Sequence, residues 1–276
     1  MIAAASSYNA PMPPAIDPLL LDALPRSSGV YIFLGECTLP LYIGKSIDIR
    51  SRVLSHLRNH DEARIVAQIR KIEYIETAGE IGALLLESQM IKVHNPLFNI
   101  RLRRVRSLCT WQLIADHKGR TPHLISGQDT QLGITPHLYG VYSSRQAATQ
   151  QLRELAQQHQ LCLGLLGLEK INTRGCFGLQ IRQCMGACVG KEDRSQHDAR
   201  LQQALEDVQI HAWPHAGIHE LVEQQNDWVQ KHHIHNWQYL GTHCSRSGEI
   251  KPLLKNKGFD FDVYKILYRT IMKNIH

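Results

Sequence analysis

Tyr31 and Tyr42 sit one in each of two short apolar runs, GVYIF and LYIG, and Lys45 follows the second run directly behind Gly44. Alternate residues of a strand share a face, so a hairpin of these runs can bring both phenols onto the same side. Gly44 permits close approach of the backbone to a ligand, and Lys45 stands where the strand meets the start of a helix. Arg52, with His56 four residues later on the same helical face, can turn toward the same cleft. A lysine as a compact charge and an arginine as a two-pronged clamp suit a phosphate group. Glu87 follows three leucines in EIGALLLESQMIKVH, a segment that reads as a mostly buried helix, and a buried carboxylate needs a partner. Two readings of it stand at this level: an ion pair with Lys45 or Arg52, or a ligand for a hard cation such as Mg²⁺. Asn99, past an Asn95-Pro96 stop, is placed to hold the end of the segment against the site. For the tyrosines alone the plainer account is a packing pair on a small sheet.

Cys162, Cys176, Cys184 and Cys188 follow C-x13-C-x7-C-x3-C, and the last three lie among glycines and arginines in RGCFGLQIRQCMGACVGK. That is poor material for an apolar core, although small core residues are the ordinary use of buried cysteine. Four thiolates suit Zn²⁺ or an iron–sulfur cluster, and the spacing matches no short zinc-ribbon pattern. Cys37, Cys109 and Cys244 are read as unligated. Arg101, Arg103, Arg104 and Arg106 form the string RLRRVR, and Arg174, Arg182 and Lys191 flank the cysteines. With Lys45 they are candidates for contact with backbone phosphates, against the alternative of a solvated basic face. In KHHIHNW, His233 and His235 share a face if the segment is a strand, with no carboxylate or third ligand evident nearby, so it reads as a surface strand.

The elements that must position these groups follow from periodicity. The two tyrosine runs alternate as strands, joined by LGECTLP. SIDIRSRVLSHL fits a helix that Ser46 can cap, DEARIVAQIRK is a second helical stretch, and KIEYIET is a third strand. The long helix around Glu87 closes a small mixed α/β (α+β) sandwich. Five stretches result: residues 1–23 as a flexible tail, 24–100 as the site-bearing domain, 101–160 as a basic linker with a strand and helix segment, 161–192 as the cysteine module, and 193–276 as a mixed, mainly helical end. In the last stretch RLQQALEDVQIHAW and IHELVEQQNDWVQKHH read as helices and WQYLGTHC as a strand.

Composition is consistent with a folded chain: 276 residues, 20% charged and 43% hydrophobic, with a net charge of +6 and a pI near 8.9. The excess charge allows a polyanionic partner without requiring one. No apolar run reaches the ~20 residues of a membrane-spanning helix, so no membrane partner is expected. The N-terminal residues lack the basic and apolar regions of a signal peptide. With seven cysteines, an odd number, this favours a reducing cytoplasmic location.

GVY and YIGK, followed by Arg52, Glu87 and Asn99 at these intervals, resemble the GIY-YIG nuclease domain, and LLLESQMIKVHNPLFN is similar to the end of that domain in the bacterial repair nuclease UvrC. HLYGVYSSRQAATQQLRELAQQHQLCLGLLGLE, the cysteine segment and GFDFDVYKILYR extend the resemblance to the Cho-type short homologues of UvrC. The resemblance implies a metal-dependent endonuclease. Glu87 would bind one Mg²⁺ (or Mn²⁺), and Tyr31 or, by preference, Tyr42 would deprotonate or orient water. Arg52 and Lys45 would stabilise the phosphate in the transition state, and Asn99 would support them. It implies a [4Fe–4S] cluster on the four cysteines, ahead of Zn²⁺. It also implies damaged double-stranded DNA as substrate, UvrB as partner, and one cut on the 3′ side of a lesion, since the chain is too short for the second nuclease domain of full-length UvrC. The competing functions are a free-standing GIY-YIG nuclease on undamaged DNA and a non-catalytic DNA-binding scaffold.

Overall fold

The computed structural model describes residues 16, 18–100, 108–254 and 258–273. The chain forms two compact units, one from residues 1–104 and 215–276 and the other from residues 105–214.

In the first unit, β1 (Gly29–Leu34), β2 (Pro40–Ser46) and β3 (Lys71–Glu76) form an antiparallel sheet in the order β2-β1-β3. Every residue of the central strand β1 is buried, because both faces are covered. Tyr31 and Phe33 join Leu41 and the apolar side of helix α2 (Ile49–Arg58) in one core. Val30, Ile32 and Leu34 pass to the other face, where with Ile43 they meet Met90 and Ile91 of α4 (Glu80–His94). The helical stretch after α2 is shorter than its sequence suggests: a 3-10 turn, His60–Glu62, and one turn of α3 (Ala63–Val66). Asp48, not Ser46, caps α2, its carboxylate accepting from the Ser51 amide at 2.9 Å. Ser46 Oγ shapes the preceding turn by accepting from the Asp48 amide at 3.0 Å. α4 ends as its sequence indicates, with Asn95 in the left-handed region (φ 47°) before Pro96.

The expected N-terminal tail is partly structured. Residues 1–15 and 17 lie outside the described residues, but Pro18–Asp22 form a helix, α1, and Ile16, Leu21 and Leu24 are buried in the core beside Tyr31.

The end of the chain is not mainly helical. IHELVEQQNDWVQKHH forms a hairpin of β8 (His219–Gln225) and β9 (Trp228–His235), and with β10 (Gln238–Cys244) and β11 (Gly248–Ile250) they make an antiparallel sheet in the order β11-β10-β9-β8. Asn226, and then Asn236 with Trp237, take positive φ at the two-residue turns of these hairpins, as the favoured hairpin turns require. His233 and His235 do share a face of β9, an inner strand of the sheet whose face here is partly exposed, and a carboxylate is near: Glu220 lies 3.3 Å from His233. The last helix, α8 (Phe261–Lys273), packs against α4, and half-buried Asp260 and Asp262 just before and at its start pair with buried Lys92.

In the second unit, β4 (Cys109–Asp116), β5 (Gly119–Ser126), β6 (Leu138–Tyr142) and β7 (Gln209–Ile210) form a sheet in the order β5-β4-β6-β7. Helices α5 (Arg145–Gln158) and α7 (Arg194–Glu206) share a core with Trp111 and Tyr139 of this sheet. The cysteine segment lies between those helices and contains the single-turn helix α6 (Phe177–Gln180). The unit therefore runs through α7 and β7, past the boundary at residue 192 drawn from sequence. Among the described residues no helix is long and apolar enough to cross a membrane.

Candidate active site

β2 is an edge strand, and an edge presents unpaired N–H and C=O groups. Here the chain after α4 and two side chains cover them. The amides of Leu97 and Phe98 donate to the carbonyls of Pro40 and Leu41 at 3.0 and 2.8 Å. Asn99 then completes the row with its side chain: Oδ1 accepts from the Ile43 amide at 2.9 Å and Nδ2 donates to the Ile43 carbonyl at 2.8 Å. One register position on, Glu87 Oε1 accepts from the Lys45 amide at 3.0 Å. The carboxylate of α4 thus reaches the outer edge of the strand that carries Tyr42.

The phenols meet on the α2 side of the sheet. Tyr31 lies opposite Gly44 in the β1–β2 register, and a Cβ at Gly44 would come within 2.2 Å of the Tyr31 hydroxyl. Gly44 is therefore needed to admit Tyr31, not a ligand. The rings of Tyr31 and Tyr42 are 6.2 Å apart. The Tyr31 hydroxyl is 2.6 Å from His56 Nε2, and His56 Nδ1 pairs with Glu62. A carboxylate only accepts, so in the neutral ring Nδ1 carries the proton and Nε2 accepts from Tyr31. Arg52 also hydrogen-bonds Tyr31, which holds its guanidinium above the ordinary range. Burial, and then the neighbouring Tyr42, push the Tyr31 phenol up. Burial and the charge of Glu87 push Tyr42 up. Tyr31 is 1% exposed, whereas Tyr42 is partly open. The sequence puts His56 on the Arg52 face of α2 but offers no sign of its bond to Tyr31, and Glu62 is reached only through the turn after α2.

Of the two readings of Glu87, the ion pair is not formed. Lys45 Nζ turns to Glu80, Arg52 to Tyr31, and among the described residues no side chain ion-pairs with Glu87. Burial raises its carboxyl above the usual range, against the Lys45 amide and the charges of Lys45 and Arg52, which lower it. A half-buried carboxylate without a cationic side-chain partner, beside an open phenol, is an oxygen donor set that fits a hard divalent ion. Arg101, Arg103, Arg104 and Arg106 lie outside the described residues.

In the second unit the four cysteines converge. Cys162 Sγ and Cys184 Sγ lie 3.6 and 3.4 Å from Cys176 Sγ, and the Cys176 amide donates to Cys188 Sγ at 3.4 Å. Gly175, Gly186 and Gly190 take positive φ in the loops that carry them. Burial pushes the thiols of Cys162 and Cys184 up, Cys184 to about 11. Behind Cys162 stands a residue the sequence did not single out, fully buried His197, whose Nε2 accepts from the Cys162 amide at 3.1 Å while Nδ1 faces Asp198. Three of the sulfurs, those of Cys162, Cys176 and half-buried Cys188, lie within 4.8 Å of one another, with Cys184 against Cys176, and thiols grouped in this way fit a thiophilic centre, either Zn²⁺ or an iron–sulfur cluster. Arg174, Arg182 and Lys191 are exposed around it.

Comparison with known proteins agrees with this division. Residues 27–100 match the family described as the UvrC-like GIY-YIG domain, 108–207 the UvrC/Cho excinuclease middle domain, and 216–276 the excinuclease Cho C-terminal domain. The excinuclease Cho of Shigella flexneri is 45% identical over 254 residues, which cover 91% of this chain and 85% of that protein. The UvrABC system protein C of a Psychrobacter species is 31% identical over 190 residues, 67% of this chain and 31% of that protein. The magnesium-bound crystal structure of the GIY-YIG N-terminal endonuclease domain of UvrC from Thermotoga maritima is 29% identical, covering 30% of this chain and 99% of that one with a TM-score of 0.28. The chain belongs to the Cho family of UvrC-like GIY-YIG excinucleases, endonucleases of nucleotide excision repair.

Proposed function

We propose that this protein hydrolyses one phosphodiester bond on the 3′ side of a lesion in double-stranded DNA, acting in the cytoplasm on a complex of that DNA with UvrB. Glu87 is the metal ligand. Glu87 would hold a Mg²⁺ or Mn²⁺ ion, which would supply Lewis-acid polarisation of the scissile phosphate and charge for the leaving oxygen, and would offset the carboxylate charge that holds the Tyr42 phenol up. Tyr42, the more open phenol, orients the attacking water through its oxygen and takes the water's proton only as the phenolate, after losing its own proton to solvent. Tyr31, tied to His56 and Arg52, packs beside the Tyr42 ring and leads on to Glu62. The exposed Arg52 guanidinium and the half-buried Lys45 ammonium, once drawn from Glu80, face the charge that grows on the phosphate. Asn99 keeps β2 in place under both. Lesion choice comes from UvrB and from deformed DNA, as nothing in the described residues resembles a base-reading helix. The four cysteines hold a [4Fe–4S] cluster, the centre the resemblance to UvrC favours over Zn²⁺.

The observation that carries this reading is the meeting of the Glu87 carboxylate and the Tyr31–Tyr42 pair along β2. The test is incision of end-labelled lesion DNA, with and without UvrB, by the wild type and by Glu87→Ala. Cutting that needs UvrB and is lost in the variant supports it. Cutting of undamaged DNA without UvrB identifies a free-standing nuclease instead, and no difference between the two proteins identifies a scaffold.

A further inference from the structure

α4 carries Glu87 but does not cap its own start. Its N-cap residue is Gly79, which has no side chain to offer, and the first amides of any helix need outside partners. They find them on the C-terminal sheet. Glu223 of β8 accepts from the Ile81 amide with Oε1 and from the Gly82 amide with Oε2, both at 2.7 Å. Gln230 of β9 accepts from the Ala78 amide at 3.0 Å. The glycines are the other half of the fit: a Cβ on Gly79 would come within 2.3 Å of Glu223 Oε1, and one on Gly82 within 3.1 Å of both Gln230 and His232. A carboxylate at this end of a helix is also favoured by the helix dipole.

Glu223 is itself held. It is one-tenth exposed, and the Nε2 of His232, 2% exposed, lies 3.0 Å from Glu223 Oε2. His232 Nδ1 is 2.7 Å from Thr242 Oγ1, which is 2.7 Å from the Tyr239 hydroxyl. Because a carboxylate only accepts, one chain of donors satisfies all four: Tyr239 to Thr242, Thr242 to His232 Nδ1, and His232 Nε2–H to Glu223. Farther along, the Leu253 amide donates to Gln89 at 2.7 Å, and Lys92 pairs with Asp260. The C-terminal part therefore grips α4 on both sides of Glu87, which lies roughly 9 Å along the axis from Ile81.

We propose that Glu223, backed by His232, is a positioning residue of the nuclease: it sets the axial place and rotation of α4 and so the place of the Glu87 carboxylate at the Lys45 amide. The inference rests on the reading of Glu87 as a divalent-ion ligand. Glu223 touches neither ion nor DNA, and a fault in it reaches the reaction only through the helix.

The test is Mn²⁺ binding to the full chain without DNA, read from the electron paramagnetic resonance of the free ion, for wild type, Glu87→Gln, Glu223→Ala, Glu223→Asp and His232→Ala. Amide hydrogen exchange over residues 78–85 is measured on the same samples. Glu87→Gln should remove the site. Glu223→Ala should weaken binding about 10-fold and speed exchange of the Ile81 and Gly82 amides, and Glu223→Asp should recover most of the affinity. If Glu223→Ala does not fold, His232→Ala should still weaken binding measurably, by less than the about 10-fold expected of Glu223→Ala. Wild-type Mn²⁺ affinity in folded Glu223→Ala or His232→Ala, with Glu87→Gln silent, overturns the proposal and leaves Glu223 a packing residue. Binding that survives Glu87→Gln overturns the metal reading itself and the proposal with it.

Discussion

The carboxylate site of the first unit and the thiol site of the second differ in what keeps their side chains in place. Asn99 spends both ends of its amide on Ile43, Glu87 takes the Lys45 amide, and Tyr31 is tied to His56. Each functional group there has a protein partner of its own, so the geometry stands before any ion arrives. In the cysteine segment the sulfurs are one another's nearest partners, carried on loops that turn at glycines. Burial keeps two of those thiols protonated, and an ion must displace their protons to bind. On the proposed reading, the open ion site is built on strand and helix, and the closed one on loops that its centre would complete.

The sharpest way to break that contrast is to remove each centre and ask what else is lost. Cys176→Ser takes away the sulfur against which those of Cys162 and Cys184 lie. Structural metal centres contribute on the order of 10 kcal/mol of apparent binding free energy, so the variant should lose the cooperative melting of residues 105–214 and expose that unit to protease. Glu87→Ala should leave both properties unchanged. Visible absorbance of anaerobically purified wild type, absent in Cys176→Ser, would mark the iron–sulfur cluster, and colourless protein with bound zinc would mark the alternative. A Cys176→Ser protein that melts as the wild type does would show that the cysteines are ordinary core residues.

A smaller effect separates holding from chemistry within the first site. Asn99→Ala leaves the Ile43 amide and carbonyl without their partners, which costs about 1–3 kcal/mol for buried groups. It should also lower cleavage about 10- to 100-fold by letting the edge of β2 shift. Asn99→Asp keeps the acceptor and loses the donor, so it should fall between. Melting temperature and single-turnover cleavage on the same preparations check this. A full loss of cleavage with unchanged melting would make Asn99 a catalytic residue in its own right.

The same division governs what could be read from the sequence. The hairpin, α2, α4 and the residues Tyr31, Tyr42, Arg52, Glu87 and Asn99 were legible because regular elements space them and apolar residues mark the buried faces. The C-terminal hairpins were not. In β9 the buried positions alternate as Trp228, Gln230, His232 and Ile234, but two of the four are polar, and hydropathy cannot show a strand whose inward face is polar. Those two are buried because they serve the start of α4, a demand made by residues some 150 positions away. The turns gave little help, since Asn226-Asp227 and Asn236-Trp237 lack the glycine that usually announces a tight hairpin. His56 was visible as a neighbour of Arg52, but its tie to Tyr31 depends on the packing of α2 on the sheet.

The smallest expected effect is also the one that tests the contrast from the side of stability. Burial raises the Glu87 carboxyl, outweighing the amide and cations that lower it. A group whose folded value is raised stabilises the fold when protonated; that contribution is complete below the ordinary carboxylate range and is lost as pH rises through the raised folded value. At neutral pH and without divalent ions the wild type therefore carries a buried charge that Glu87→Gln does not. The variant should melt higher in Mg²⁺-free buffer, by about 1–3 °C for a chain of this size, and the gap should close in acid as the wild-type carboxyl takes up its proton. Added Mg²⁺ should raise the melting temperature of the wild type alone. The same sign sets the pH dependence of binding: as pH falls through the raised value the proton competes with the ion, and half-saturating Mg²⁺ rises. Melting curves of the two proteins at neutral and acid pH, with and without Mg²⁺, decide it. A Glu87→Gln protein that melts lower than wild type in ion-free buffer at neutral pH would mean that the carboxylate is part of the scaffold. The site would then resemble the cysteine centre more than it differs from it.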